Sequence, residues 1–334
     1  MDHTLTVTDD GRAIRAGWHG PGRDAGGTEP AAGPPELLRY VYQPDDPQLE
    51  SPRPYFHPLR TLGGDLVTLY RPHDHVWHKG IAWSLPNVGP ANFWGGVTYL
   101  RGQGYRQLAN NGRTRHDSFR EIAADGDCLR LAEDLTWITE QGETWFAERR
   151  RVGARAWPGD DCWVLAFETT MRNVSGNEIV IGSPGTEGRD NAGYGGLFWR
   201  GPRSFTGGRV VTPDGDGGDE YMGWRGPWLG FAGRHDEHGR ASTVLFADDP
   251  GNFSYPSQWF VRSLPYACLC PAPFFSAEHM IGDGQELTLR YAVAIADGDL
   301  TGGECGKLAG RMDAMALLGG AVGSDREAGP GRAP

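Results

Sequence analysis

The sequence predicts an all-β protein built as one large antiparallel β-sandwich. Its 334 residues include 51 glycines and 24 prolines, the residues that form tight turns. Between these turns lie short segments of strand length that are rich in β-branched and aromatic residues. The strand–helix alternation that a parallel α/β sheet requires is missing from the sequence. We therefore expect a single sandwich domain over residues 1–318, a length that a large β-sandwich can occupy as one unit.

The first part of the chain predicts short strands joined by irregular segments. Residues 3–8 alternate between polar and apolar and end at an Asp-Gly turn. Residues 19–35 are dense in glycine, proline and charge, which indicates a mobile loop within the domain. Strands are predicted next at 37–42, 65–71 and 80–84.

From residue 118 onward the sequence predicts long antiparallel ribbons. One hairpin is expected from 128–138 and 145–152, and a second from 162–172 and 178–182, each around a glycine-containing turn. Further strands are predicted at 209–212, 228–232, 242–247, 258–261 and 286–296. One short C-terminal helix is expected over 304–318, where Leu308, Met312, Met315 and Leu318 recur at helical spacing. Residues 319–334 have the composition of a disordered tail.

Charge and cysteine content restrict the partners and the compartment. The formal net charge of −11 argues against a nucleic-acid partner and against an anionic membrane surface. Neither a signal peptide nor an apolar stretch long enough to span a membrane is visible. The five cysteines do not form a disulfide framework. A cytoplasmic protein with reduced thiols is therefore expected.

The stretch from residue 53 to residue 80 is the first candidate site, because it holds His57, His73, His75 and His78. On an extended segment His73 and His75 would share one face, and His57 could approach from an adjoining strand. Histidine serves as a general acid or base near neutral pH and is also a common metal ligand. Hydrogen-bonded structural histidines that support turns are the alternative interpretation. No cofactor is assigned, but a divalent metal held by His57, His75 and His78 stays open.

The candidate substrate contacts combine aromatic rings with charged groups, the mixture that a sugar-binding cleft uses. A glycine-rich segment at 186–200 contributes several polar side chains and lets the backbone approach a ligand. Glu187 and Glu148 are the candidate partner carboxylates for the histidines. The substrate-binding candidates are Arg60, Trp77, Trp94, Tyr194, Arg200 and Trp259.

Several of these segments together resemble the PmoA-like family of soluble bacterial proteins. The resemblance covers about residues 37–297 and rests on the segments 53–59, 74–80, 92–94, 145–149, 194–200 and 284–291. The family is labelled methane oxygenase, a membrane complex, and that label does not fit a chain without a membrane-spanning stretch. The family pattern Asp-His-Pro-His-His-Arg-Gly is altered here, with Trp77 at the position of one histidine and Lys79 at that of arginine. His75 and His78 match the pattern, whereas His73 is additional to it.

The resemblance implies a galactose-mutarotase-like sandwich and a carbohydrate or oxidised glycoside as substrate. We therefore expect a carbohydrate-active enzyme that cleaves or epimerises a sugar or keto-glycoside by histidine and glutamate acid–base chemistry. In this hypothesis Arg200 orients a hydroxyl or carbonyl group of the substrate. The alternatives are a divalent-metal-dependent lyase or hydrolase and a non-catalytic sugar-binding module. The expected partner is a small carbohydrate, and a homo-oligomer stays open.

Overall fold

Two large antiparallel sheets form the fold, which was obtained as a computed structural model that describes residues 4–20 and 35–320. In chain order the strands are β1 Thr4–Asp9, β2 Ala13–His19, β3 Glu36–Val41, β4 Tyr55–Leu59, β5 Ile81–Ser84, β6 Asn87–Val88, β7 Thr98–Leu100, β8 Gly104–Arg106, β9 Arg113–Asp125, β10 Cys128–Ile138, β11 Thr144–Trp157, β12 Cys162–Asn173, β13 Ile179–Gly182, β14 Gly196–Arg200, β15 Arg209–Thr212, β16 Gly215–Gly217, β17 Trp228–Arg234, β18 Ala241–Asp248, β19 Gln258–Arg262, β20 Cys268–Ala272, β21 His279–Ile281 and β22 Glu286–Asp297. Two short helices follow, α1 Gly302–Ala309 and α2 Ala314–Leu317.

The strand order confirms the predicted class of a large antiparallel sandwich. The first sheet has the order β1-β2-β3-β4-β5-β14-β20-β19, and the second has the order β16-β15-β17-β18-β22-β12-β11-β10-β9. Two small sheets, β21-β13-β6 and β7-β8, lie beside them. In the described residues, 4–20 and 35–320, no helix is long and apolar enough to cross a membrane.

The hydrophobic core fills the space between the two large sheets. Successive side chains of a strand point to opposite faces, so alternate positions of the first sheet belong to this core. Trp199 of β14, Trp259 of β19 and Leu269 of β20 are fully buried there, together with Phe167 and Val293 of the second sheet. The positions between them face the other side of the first sheet, where the candidate site lies.

Three sequence predictions need correction. The first hairpin forms as β10 and β11, but β12 and β13 do not pair, because β12 lies between β11 and β22 while β13 joins a small sheet. Residues 65–71 make only isolated bridges, at Leu66 and Tyr70, and form no strand. The single predicted helix is two helices, because Gly310 ends α1 and the Asp313 side chain accepts from the Ala316 N–H to begin α2.

Other elements differ in extent from the prediction. The sequence analysis missed β2, whose residues Ile14, Ala16 and Trp18 alternate into the core. It also placed the start of the ribbons at residue 118, whereas β9 begins at Arg113. The predicted mobile loop and disordered tail fall mainly on residues 21–34 and 321–334, which lie outside the described residues.

Candidate functional site

A cavity of about 450 Å³ lies on the face of the first sheet that is turned away from the core. Its volume is within the usual range for small-molecule sites. The cavity is lined by histidines, aromatic residues and two arginines, with a few aliphatic contacts: His75, Trp77, His78, Trp94, Val97, Tyr105, Arg189, Tyr194, Phe198, Phe260, Arg262, Pro265 and Tyr266.

Strand alternation explains how the first sheet forms the floor of this cavity. Phe198 and Arg200 on β14 are the neighbours of the core residue Trp199 and therefore point to the opposite face. The same alternation on β19 places Phe260 and Arg262 on the cavity side of the core residue Trp259. Loops that precede or connect the strands supply the remaining walls.

The histidines lie on a tight turn between Arg71 and Lys79 that is fastened to β14. The N–H of His75 donates to the Pro72 carbonyl at 3.1 Å, and the N–H of His78 donates to the His75 carbonyl at 2.9 Å. The backbone of Arg200 then holds both sides of the turn, because it accepts from Leu69 at 2.9 Å and donates to Gly80 at 2.8 Å. The predicted extended His-x-His arrangement is therefore wrong, and a folded turn presents these rings.

Buried ion pairs fix the base of the same turn. The ammonium group of Lys79 is fully buried and pairs with Asp46 at 3.0 Å and also with Glu50. Glu50 in turn accepts from Arg71 at 2.7 Å. The guanidinium of Arg53 donates to the Trp77 carbonyl at 2.8 Å. Charges that are buried and paired in this way resist displacement, since separating either partner leaves the other unpaired.

Trp77 occupies the cavity wall because two glycines leave room for it. A side chain at Gly95 or Gly96 would come within 2.6–2.7 Å of Trp77. Both glycines also have positive φ angles, +104° and +68°, which other residues rarely adopt. The substitution of tryptophan for the family histidine therefore has a matching space in this fold, and the aromatic ring becomes part of the cavity wall.

Arg200 and Asp74 form an ion pair behind the histidines. The two guanidinium–carboxylate distances are 2.8 and 3.1 Å, and the Arg200 side chain is 1% exposed. Burial alone would raise the pKa of Asp74, but hydrogen bonds from Arg200 and His75 lower it to about 2. Asp74 is therefore a carboxylate at neutral pH and acts only as a hydrogen-bond acceptor.

The position of Arg200 fixes the proton on His78. The guanidinium always donates, and its Nη1 lies 2.9 Å from His78 Nδ1, so that nitrogen must be the acceptor. The neutral ring consequently carries its proton on Nε2. Burial lowers the pKa of His78 well below its ordinary value, and the nearby positive charges lower it further. His78 is therefore a neutral N–H donor at the cavity.

His75 has the opposite polarity. Its Nδ1 lies 3.1 Å from the Asp74 carboxylate. Because a carboxylate only accepts hydrogen bonds, this nitrogen carries the proton of the neutral ring, and the lone pair is on Nε2. Burial lowers the pKa of His75, while Asp74 opposes that shift. The rings of His75 and His78 are stacked with 4.6 Å between their centroids. A proton acceptor and a proton donor thus lie side by side in one wall.

Aromatic rings close the rest of the cavity. Trp94 packs against Tyr194 and Phe198 with centroid distances of 4.8 and 4.7 Å. The hydroxyl of Tyr194 lies 3.0 Å from that of Tyr105. The ring of Tyr266 lies over Arg200, with 3.8 Å between the guanidinium carbon and the ring centroid. Flat rings with a few polar groups suit the C–H faces and hydroxyls of a pyranose.

The structure brings together part of the predicted site. His75, His78, Trp77, Trp94 and Tyr194 line the cavity, and the buried Arg200 lies directly behind the two histidines. His73 is exposed, contacts Arg203 and lines a smaller neighbouring cavity with Asp74.

Two candidates from the histidine stretch lie elsewhere on the first sheet. His57 stacks on Tyr70 at 5.5 Å, and its Nδ1 lies 2.9 Å from the Thr68 hydroxyl, so it does not converge with the other two histidines. Arg60 donates to the Gly64 carbonyl at 3.1 Å. Neither side chain is among the residues that line the cavity.

The other three candidates also lie outside the lining. Glu148 is buried between the sheets, where it pairs with Arg150 at 2.8 Å. Trp259 belongs to the core and donates to the Gly226 carbonyl at 2.8 Å. Glu187 is half-buried and faces Arg101 at 3.8 Å. A partner carboxylate from Glu148 would have to cross the first sheet.

The sequence analysis missed several cavity residues. Phe260 and Arg262 could have been found from strand alternation, since Phe260 lies in the strand predicted at 258–261 and Arg262 follows it directly. Phe198 lies in β14, which was not among the predicted strands. Tyr105 lies in the short strand β8 and Tyr266 in the loop between β19 and β20, and no local pattern encodes their spatial position. Asp74 was noted as part of a motif without a role.

The three histidines that were candidates for a metal site do not form a ligand set. The Nδ1 atoms of His57, His75 and His78 are engaged by Thr68, Asp74 and Arg200, and His57 is separate from the other two. His78 Nε2 carries a proton and so cannot bind a metal. Throughout residues 4–20 and 35–320, no group of three or more His, Cys, Asp or Glu side chains is arranged to hold an ion.

These features define the class of protein as an antiparallel β-sandwich with an aromatic, histidine-containing cavity on the outer face of one sheet. The chain belongs to DUF6807, a family of unknown function, whose model matches residues 30–310. The resemblance to the PmoA-like family stays a prediction. A comparison with curated protein sequences found no match.

Solved structures with a similar fold include α-galactosidases. One is the family 36 glycoside hydrolase AgaA from Geobacillus stearothermophilus in complex with 1-deoxygalactonojirimycin, with 12% identity, a TM-score of 0.37, and coverage of 89% of this chain and 41% of that enzyme. Another is the α-galactosidase from Lactobacillus brevis, with 12% identity, a TM-score of 0.31, and coverage of 89% and 39%. This chain thus spans about two fifths of the length of these enzymes.

Proposed function

We propose that this protein is a carbohydrate-active enzyme that epimerises or cleaves a keto-sugar or keto-glycoside by acid–base chemistry at His75 and His78. The observation that carries the proposal is the pairing of an Asp74-backed imidazole with a neutral N–H donor, 4.6 Å apart, in the wall of an aromatic cavity. The resemblance to the PmoA-like family supports the choice of a carbohydrate, and so do the aromatic walls.

The polarity of the two rings suits proton removal next to a carbonyl group. His75 Nε2 would take the proton from the carbon beside the carbonyl, and the C–H electron pair would move into the carbonyl group to form an enolate. His78 Nε2–H would donate a hydrogen bond to the enolate oxygen, the kind of stabilisation that preorganised donors supply. The ion pair with Arg200 keeps Asp74 ionised, so that it stabilises the imidazolium formed at His75.

The same enolate leads to either predicted outcome. Return of a proton from solvent to the opposite face of the carbon gives the epimer, and the His75 imidazolium releases its proton to solvent. Alternatively, the enolate electrons expel an alkoxy group from the β-carbon, which breaks the C–O bond and forms a C=C bond, and the leaving alkoxide takes the proton from the His75 imidazolium. Hydrolysis by two carboxylates is less well supported, because that mechanism needs a pair of acidic side chains at the scissile bond. The described lining residues include no aspartate or glutamate.

Proton exchange in D₂O tests this proposal directly. Methyl glycosides and their keto derivatives would be incubated with the protein. ¹H NMR would follow the loss of signal from the proton on the carbon beside the ketone, as deuterium replaces it. We expect exchange with the keto derivatives only. His75→Gln should slow this exchange roughly 10²- to 10⁴-fold, the usual contribution of a positioned acid or base.

His73→Gln is the matched control, because His73 lies on the same turn but is exposed and outside the main cavity. Its exchange rate should equal that of the unmodified protein. Unchanged exchange in both His75→Gln and His78→Gln would disprove the proposal. Saturable sugar binding without any exchange would instead identify a non-catalytic sugar-binding module.

A further inference from the structure

Among the described residues, two arginines in the cavity wall have no partner for their charge. Arg189 and Arg262 are both half-buried and line the cavity. Each lies over an aromatic ring, with the guanidinium carbon of Arg189 4.9 Å from the Tyr105 centroid and that of Arg262 5.6 Å from the Phe260 centroid. In residues 4–20 and 35–320, neither side chain forms an ion pair or donates a hydrogen bond.

The usual arrangement of arginine in this chain is different. Arg200 and Arg150 are buried, Arg290 is partly buried, and each of the three pairs directly with a carboxylate. The protein as a whole has a net charge of −11, so acidic groups are plentiful. The two cavity arginines are nevertheless held on aromatic faces, where cation–π contact fixes the group without neutralising it.

The remaining lining groups do not offset these two charges. His75 and His78 are neutral, and the described lining contains no aspartate or glutamate. The Asp74 carboxylate, which contacts His75, is already paired with Arg200. As far as the described part of the chain goes, the cavity therefore carries two uncompensated positive charges inside an acidic protein. Positive charges that are partly desolvated in a cavity attract anions from solution and strengthen their binding.

We propose that the cavity takes a sugar that carries an anionic group, a carboxylate or a phosphate, and that Arg189 and Arg262 bind this group. The substrate class rests on the proposed function, which places the sugar ring against His75 and His78. A guanidinium matches both anions because its planar N–H groups donate two parallel hydrogen bonds. The aromatic residues under each arginine limit its motion, so little ordering is needed when the anion binds.

Calorimetric titration with matched ligands tests the inference. Methyl β-glucoside is the neutral ligand, methyl β-glucuronide adds a carboxylate, and glucose 6-phosphate adds a phosphate. We expect at least one anion to bind roughly tenfold or more tightly than the neutral sugar, as one charge-assisted pair contributes. The preference of the protein for one anion over the other identifies which group the arginines recognise. Added salt should reduce this preference.

Charge removal should then abolish the preference. Arg189→Gln and Arg262→Gln should each weaken binding of the anion roughly tenfold and leave binding of the neutral sugar unchanged. Arg172→Gln is the matched control, because Arg172 is exposed on β12 and remote from the lining. If a glutamine variant fails to fold, Arg189→Lys and Arg262→Lys keep the charge but remove the two-pronged donor, and a loss of affinity for the anion is still expected.

Two results would overturn the inference: equal affinity for the anionic and neutral ligands, or an unchanged anion preference in both arginine variants. These failures are separable from failure of the proposed function, which is measured by proton exchange on neutral keto-glycosides. Tight anion binding without exchange would reject the acid–base proposal and keep the ligand class. Proton exchange without a preference for the anionic sugar would keep the acid–base proposal and reject the anionic ligand class.

Discussion

Two charged clusters in this protein contain similar residue types and differ in what they leave unpaired. The first, here called the sealed network, lies between the sheets and consists of Tyr40, His116, Glu133, Glu148 and Arg150. The second, here called the open cluster, consists of Asp74, His75, His78 and Arg200 at the cavity. Both combine imidazoles with carboxylates and an arginine.

The sealed network uses its polar atoms internally. Glu148 accepts from Arg150 at 2.8 and 3.0 Å, from the Trp137 indole at 2.7 Å and from the Thr169 hydroxyl at 2.8 Å. Glu133 accepts from Tyr40 and pairs with His116 at 2.6 Å. In the open cluster, by contrast, Nε2 of both histidines has no partner within the cluster, and both rings line the cavity. Satisfied buried groups stabilise a unique core, whereas a free nitrogen beside a cavity can react.

The largest expected effect breaks the sealed network. Arg150→Met would leave Glu148 buried without its cation and Tyr40 without one hydrogen bond, and we expect a loss of about 3–5 kcal/mol in the free energy of unfolding. Urea unfolding followed by tryptophan fluorescence measures this loss. The matched substitution in the open cluster is Arg200→Met. Arg200→Met should lower the free energy of unfolding by less, about 1–3 kcal/mol. Asp74 keeps its hydrogen bond with His75 in this variant, and the Asp74 side chain is 27% exposed to water.

The two arginine variants should also separate function from stability. Arg200→Met should slow proton exchange, since His78 loses the donor that fixes its tautomer. Arg150→Met should leave the exchange rate of the folded fraction unchanged. Equal stability losses in the two variants would contradict the division into a sealed network and an open cluster.

Local patterns in the sequence identify the fold class and the histidine-rich stretch, but not the turn that this stretch forms or which charged groups share a cavity. Alternation and turn residues are properties of neighbouring residues, so the sandwich class and the β10–β11 hairpin were predicted correctly. Glu148 was assigned to the site because its segment belongs to a family motif, yet β11 carries it into the space between the sheets. Trp259 was assigned for its aromatic ring, although a shift of one residue along β19 reverses the face.

The rest of the site depends on contacts between distant parts of the chain. Asp74 and Arg200 are far apart in sequence and meet because β5 and β14 are neighbours in the first sheet. Tyr105 reaches Tyr194 across loops. Strand order, which only the folded chain specifies, decides these contacts, and the apparent second hairpin at β12–β13 shows that turn signals alone do not determine it.

Acidification should weaken the region around the histidine turn, because its imidazoles are buried in the neutral form. Burial lowers the pKa of His57 from 6.5 to about 4 and the pKa of His78 well below its ordinary value. The unfolded chain therefore binds protons that the folded chain excludes. The stabilisation is fully present above pH 6.5 and is lost as the pH falls from 6.5 toward 4, by about 3 kcal/mol for His57 alone.

His57→Gln measures that contribution, since glutamine can still hydrogen-bond to Thr68 but does not titrate. Urea unfolding at a series of pH values between 7 and 4 should show a shallower loss of stability for this variant. Identical slopes for the two proteins would exclude His57 as a source of the acid sensitivity.

The smallest expected effect concerns Glu187, which tests where the open cluster ends. Its carboxylate is 33% exposed and lies 3.8 Å from the Arg101 guanidinium, which is 70% exposed. Exposed pairs of this kind contribute about 0–1 kcal/mol, so Glu187→Gln should leave the unfolding free energy almost unchanged.

Proton exchange should also change less than about threefold in Glu187→Gln, because Asp74 already serves as the carboxylate behind His75. Asp74→Asn is the comparison variant and should slow exchange roughly 10²-fold or more. If Glu187→Gln slowed exchange as much as Asp74→Asn did, the catalytic group would extend to the glycine-rich loop, and the open cluster would need a second carboxylate.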